Sequence, residues 1–288
     1  MRNKVSYVYP NTSDLNRGGR GGLSVRFELA QGAGCEFIEM PGDFIKNKTE
    51  IELTGLDLGC TLTKEAVVAL YEPGSPSKDL AYILHSERSL PRTDGYGLTH
   101  QAVIQWYTPE WVSRLTEMLL SVARHLSLPL ALIEIHPGDA RNSIDDIINA
   151  VRFIQHSFHT EFATRPLVLL ENRTEQFLAT GHELAMFATR IAQEDDLKST
   201  AGIVLDIQQL FTRTRNNFLD ELRAIPTGSV KGLHIHSKHR TPSESDPIPW
   251  RDVFSWIKDI PDGVIINPEV HHRKQVHETI QFCEAMMD

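Results

Sequence analysis

Residues 130–138 read LALIEIHPG. An apolar run ends in a histidine, and Pro137-Gly138 stops it. A run of this length suits a strand buried on both faces, as in a parallel sheet. Similar runs lie upstream at 81–85, 37–40 and 5–9, and downstream at 166–171 (PLVLLE), 202–206 (GIVLD), 230–236 (VKGLHIH) and 263–269 (GVIINPE). Amphipathic stretches separate them. Residues 109–126 place Trp111, Leu115, Leu119 and Val122 at helical spacing, and 143–156 do the same with Ile144, Ile147, Ile148, Val151 and Ile154. Residues 182–191, 208–225, 250–257 and 273–287 are further predicted helices.

Eight strands alternating with helices over 288 residues predict an α/β fold, a parallel eight-stranded (β/α)8 TIM barrel filling one domain, 1–288. A doubly wound open sheet would carry a glycine-rich phosphate loop after its first strand. Residues 17–22, RGGRGG, lack that spacing and read as a flexible loop entering the first helix. Residues 41–79 are the least regular. Patterns at 50–58 and 64–71 suggest an extra hairpin or short helix.

A hydrophobic fraction of 41% excludes a disordered chain. No run approaches the roughly 18 apolar residues of a membrane span, so no membrane partner is expected. Residues 1–4 lead into a short apolar run rather than a signal-peptide core. Cys35, Cys60 and Cys283 form no metal-finger spacing and no disulfide framework, which points to a reducing cytoplasm. A formal charge of −9 argues against a generic basic nucleic-acid surface, although a bound metal adds positive charge locally.

The 13 histidines are the main clue. In a barrel, chemistry sits at the C-terminal ends of the strands. The third predicted strand delivers His85 there, and the fourth delivers His136. The next four deliver Glu171, Asp206, the pair His234 and His236, and Glu269. A strand buried on both faces has no ordinary reason to end in an ionisable group. Histidine and carboxylate are the donors that bind zinc, manganese or iron(II), so this rim is predicted to hold divalent metal. Asp206 also suits the N-cap of the helix that follows it.

The order of these groups resembles the endonuclease IV family (AP endonuclease family 2), within the xylose-isomerase-like TIM barrels. The resemblance rests on Leu84-His85-Ser86, His136-Pro137-Gly138, Glu171-Asn172-Arg173-Thr174, Asp206, Gly232-Leu233-His234-Ile235-His236 and Pro268-Glu269. It covers about two thirds of the chain. Glu171, Asp206, His234 and Glu269 follow one another at 35, 28 and 35 residues. The resemblance implies one metal on His85, His136 and Glu171. It implies a second on Glu171, Asp206, His234 and Glu269, with Glu171 bridging. The family's third metal needs histidines where this chain has Gln209 and Ile248, so two ions at most are expected.

The favoured expectation is hydrolysis of a phosphate ester, with DNA as one candidate substrate, by two metals that hold a hydroxide and clamp a phosphate oxygen. Glu171 and Glu269 are the expected catalytic carboxylates. Arg173, His236, Lys238, Asp246 and Trp250 are the expected substrate contacts, with His239 and Arg240 beside them. Arg17, Arg20, Arg88, Arg92 and Arg141 fall on predicted loops near strand C-termini. His271 and His272 adjoin Glu269, and on an extended segment only one of them can face the site. Sugar isomerases and epimerases of the same superfamily give the alternative. They resemble this chain in Glu171, Asp206, His234 and Glu269 only. One metal would polarise a carbonyl, and Glu171 and Glu269 would move a proton between neighbouring carbons. His85 and His136 would then touch substrate or support the ligands. A non-catalytic binding barrel is the third reading, and the intact ligand set weighs against it.

Overall fold

The computed structural model describes residues 5–12, 23–41, 80–86, 88–93, 99–126 and 130–288. Residues 17–22, nearly all of the irregular 41–79 stretch, Cys60, Arg17 and Arg20 lie outside the described residues. The first elements are β1 (Val5–Tyr9), α1 (Leu23–Gly32), β2 (Phe37–Pro41) and β3 (Ala81–His85). A hairpin follows, β4 (Ser89–Thr93) and β5 (Thr99–Val103), then α2 (Pro109–Leu126), β6 (Leu130–Ile135) and α3 (Ile144–Phe162). Next come β7 (Leu167–Glu171), α4 (Gly181–Ala192), β8 (Ala201–Asp206), α5 (Ile207–Thr214) and α6 (Phe218–Ala224). The chain ends with β9 (Val230–His234), α7 (Trp250–Ile257), β10 (Val264–Asn267) and α8 (Lys274–Met287).

Eight strands close a barrel in the order β1-β10-β9-β8-β7-β6-β3-β2. Every neighbouring pair is parallel. This is the predicted (β/α)8 barrel. The antiparallel β4–β5 hairpin stands apart from it, inserted between β3 and α2. Sequence periodicity missed this hairpin, because its strands SLPRT and THQAV carry no apolar alternation. The predicted helix at 208–225 is two helices. Arg215 adopts φ 46°, which a continuing right-handed helix cannot accommodate, and a 3-10 turn at Arg215–Asn217 restarts the chain. The predicted start of α3 is sharpened to its cap. Ser143 accepts the Asp146 N–H, and the Asp146 carboxylate accepts the Ser143 N–H in return.

Two apolar layers hold the barrel. The larger one joins the outer faces of the strands to the helices, with Ile133, Ile135, Leu170, Leu205 and Leu233 among its buried residues. The smaller one fills the barrel itself and consists of Val8, Ile83, Leu132, Leu169 and Val204, with Phe37 and Ile265 packed against them. Gly232 completes this plug by leaving room. A Cβ there would lie 3.1 Å from Val204 Cγ2.

Strand side chains alternate faces, so the residue two places after each plug residue points into the barrel one layer higher. From Phe37, Ile83, Leu132, Leu169, Val204, Gly232 and Ile265 this rule selects Glu39, His85, Glu134, Glu171, Asp206, His234 and Asn267, while Val8 leads to Pro10. One polar layer therefore sits directly on the apolar plug, at the C-terminal end of the strands.

Candidate metal centre

The polar layer is a cluster of closely spaced histidines and carboxylates. His85, at the end of β3, places Nδ1 2.8 Å from Glu39 Oε1 and Nε2 2.8 Å from Glu171 Oε2. Burial opposes the charged ring, but the hydrogen bonds to Glu171 and Glu39 hold its pKa well above the ordinary range. His85 thus bridges two carboxylates. Glu39 Oε2 accepts from Asn267 Nδ2 and from the Asn11 N–H, each at 3.0 Å. On the opposite wall His234 Nε2 donates to Glu134 Oε2 at 3.1 Å. His234 Nδ1 then faces Glu269 Oε2 at 3.5 Å and Glu171 Oε1 at 3.8 Å.

Asp206 divides its two oxygens. Oδ1 caps α5 by accepting the Gln209 N–H at 2.9 Å, as the cap reading predicted. Oδ2 faces His236 Nε2 at 3.4 Å. His236 Nε2 lies 3.1 Å from Glu269 Oε2, and its Nδ1 accepts the His239 N–H at 3.0 Å. Asn172 ties the ends of β7 and β8 together, accepting the Asp206 N–H and donating to the Asp206 carbonyl. The Glu171 carboxyl is fully buried, and burial raises its pKa against the opposing pull of His234 and His85. Glu269 is held well below the usual carboxylate range: burial works the other way, but the adjacent His234 and His236 rings outweigh it.

The cluster has the features of a cation site. Glu171 Oε1, His234 Nδ1 and Glu269 Oε2 are buried and accept no hydrogen bond. Ligand atoms of Asp206, His234 and Glu269 lie within 4.8 Å of one another. Two atoms that each sit ~2.1 Å from one ion are separated by roughly 3.0–3.4 Å. The His234–Glu269 gap is close to that spacing. Asp206, His234 and Glu269 form one mixed nitrogen and oxygen set that suits a divalent metal, and His85, Glu171 and His234 form another.

His136, one residue beyond β6, is buried with Nδ1 3.4 Å from Glu171 Oε2 and without a hydrogen-bond partner. Burial, then the charges of His85 and Arg173, push its pKa well below the ordinary value, so it is neutral. The turn after it depends on Gly138. That residue has φ 76°, and a Cβ would fall 2.3 Å from the Ile104 carbonyl oxygen. Gly138→Ala is expected to cost about 1–3 kcal/mol, read as a lower urea midpoint. An unchanged midpoint would show that the turn relaxes freely.

The remaining sequence-predicted contacts divide. His236 joins the cluster, and its ring begins a stack through His239 to His271, with centroids 4.5 and 4.2 Å apart. His272 is exposed, and so is Arg240. Arg173 is partly buried beside His136. Lys238 is exposed, with its N–H on Gln208 Oε1. Arg88 is exposed, Arg141 pairs with Asp139, and the side chain of Arg92 lies outside the described residues. Trp250 does not reach the rim. It is 2% exposed, packed against Phe254 and Phe282, because its position at the start of α7 turns the ring into the core. Asp246 serves that packing. Its Oδ2 accepts from Trp250 Nε1 and from the Ser243 N–H. Gln209 turns its side chain to Thr174, and Ile248 is buried, so neither offers a ligand atom to the cluster.

Glu39, Glu134 and Asn267 were missed by sequence reasoning. Glu39 and Glu134 carried the same signal as the predicted ligands, an ionisable residue inside an apolar strand (FIEMP, LALIEI). They stand within the run, whereas the predicted ligands stand at its end.

No family model matches the chain, and no curated protein matches it by sequence. Solved structures do match by fold. A D-allulose 3-epimerase from Methylomonas sp., in complex with D-allulose, is 16% identical with a TM-score of 0.59, covering 99% of this chain and 98% of that one. An AP endonuclease, family 2, from Brucella melitensis is 10% identical with a TM-score of 0.57, covering 99% and 100%. The IolI protein with a bound zinc atom is 13% identical with a TM-score of 0.57, covering 99% and 96%. The chain therefore shares the closed (β/α)8 barrel fold of these proteins.

Proposed function

We propose that the protein is a metal-dependent carbohydrate isomerase or epimerase with one divalent ion held by Glu171, Asp206, His234 and Glu269. The spacing of the cluster carries this reading. Around His234 the donor atoms stand open at 3.5–3.8 Å and unpartnered, whereas His85 is closed onto Glu171 by a 2.8 Å hydrogen bond and onto Glu39 by another. The first arrangement suits a shared ion, and the second is already satisfied without one. This supports the mononuclear alternative better than the binuclear phosphate-ester hydrolase. Epimerases also recur among the structures of like fold.

The metal, when bound, would polarise a carbonyl and its neighbouring hydroxyl. Glu171 would take a proton from the adjacent carbon, and Glu269 would return or remove one from the opposite side. His136 and Arg173 line the Glu171 side, where hydroxyl groups would be held.

The test combines metal content per chain with incubation of ketoses and aldoses in D2O. One metal per chain and deuterium at the carbon next to the carbonyl are expected. Two metals, no exchange with any sugar, and cleavage of abasic-site DNA or a small phosphodiester would return the assignment to the hydrolase.

A further inference from the structure

Glu134 has no role in the reaction outlined above, yet it occupies the centre of the barrel. It points inward from β6, one layer above Leu132, and is 2% exposed. Its Oε2 lies 3.1 Å from His234 Nε2 and 3.7 Å from His85 Nδ1. Strand β9, which carries His234, is three places from β6 in the barrel order, so this contact spans the barrel interior. No lysine or arginine is ion-paired with it among the described residues.

We propose that Glu134 is the positioning residue that keeps His234 ready for a metal. This rests on the metal-site reading above. A neutral imidazole carries one proton, and its site is set by what each nitrogen faces. His234 Nδ1 faces Glu269 Oε2 and Glu171 Oε1. Left to those carboxylates, the ring would place its proton on Nδ1, donate to them, and present no lone pair to a cation. Glu134 supplies a competing acceptor on the other edge. It holds the proton on Nε2 and leaves the Nδ1 lone pair directed at Glu171, Asp206 and Glu269. Such carboxylate–histidine–metal arrangements raise the basicity of the ligand and fix its ring. Apolar packing alone would be served better by leucine at this position, since a buried carboxylate is costly unless it is paired.

The experiment measures Co2+ affinity by competition with a chromophoric chelator, following the visible absorption of the bound ion, on wild type, Glu134→Leu, Glu134→Gln and Asp206→Asn. Leucine keeps the bulk and removes the acceptor, so about a 10–100-fold loss of affinity is expected. Glutamine keeps a carbonyl oxygen that accepts the Nε2 proton but lacks the charge. It should lose at least threefold and less than leucine does. Equal Co2+ affinity in wild type and the folded Glu134 variants would overturn the assignment of Glu134 alone. Wild-type affinity in Glu134→Gln would overturn it even if Glu134→Leu fails to fold. Co2+ binding that is absent from wild type, or unaffected in Asp206→Asn, would overturn the metal site and the Glu134 role together.

Discussion

Glu171→Gln is expected to lower kcat for epimerisation by about 10²–10⁴-fold, the range that a positioned general base contributes. The substitution preserves shape at the end of β7, where the side chain is fully buried. It removes the group that accepts the proton. The wild-type carboxylate has Oε2 held by His85 at 2.8 Å, while Oε1 accepts no hydrogen bond and faces the cluster. Burial raises its pKa, which makes its ionised form a stronger base than an exposed glutamate. Glu269→Gln supplies the partner experiment. If the two carboxylates act on opposite faces of one carbon, each variant should fail to interconvert the epimers. Each should still exchange the proton of one epimer with D2O, and the epimer should differ between the two variants. Loss of exchange with both epimers in both variants, with metal content intact, would argue against two separate bases. Metal content belongs in the comparison because both residues are also proposed ligands.

The second large effect concerns stability. Trp250→Ala should destabilise the fold by about 3–5 kcal/mol, as expected for truncating a large core aromatic. The ring lies between α7 and α8, 6.4 Å from the Phe254 centroid and 5.9 Å from that of Phe282. Its Nε1 donates to Asp246 Oδ2 at 3.2 Å, a bond that the truncation also removes. Urea unfolding should show a lower midpoint, while KM of the folded protein stays at the wild-type value. A substrate-stacking tryptophan would give the opposite pattern, a raised KM at unchanged stability. Trp250→Phe keeps the apolar contacts and loses only the N–H, so its midpoint should fall between the two.

The contrast between Trp250 and His234 shows which parts of the site were legible. An aromatic ring after a proline reads equally well as a rim platform or as core, because its fate depends on what the neighbouring helix presents. His234 ends an apolar run, and the sheet must turn that end toward either the barrel interior or the helices. Most strand and helix bounds followed from local pattern alone, since apolar runs and 3.6-residue spacing are properties of adjacent residues. The break at Arg215 did not, because the amphipathic pattern continues across it while the backbone does not. The β4–β5 hairpin did not, because its stabilising partner strands carry no periodic signal.

By itself the sequence determined the order of the eight barrel strands and delivered His85, Glu171, Asp206 and His234 to strand ends. Only the closed barrel decided that Glu39 and Glu134 share a layer with them. Contacts such as Glu39 with Asn267, 228 residues apart, and Glu134 with His234, 100 apart, are set by strand stagger and closure. Alternation along one strand names the two faces. It is the closure of the barrel that brings inward side chains of distant strands within reach of one another, above the apolar plug.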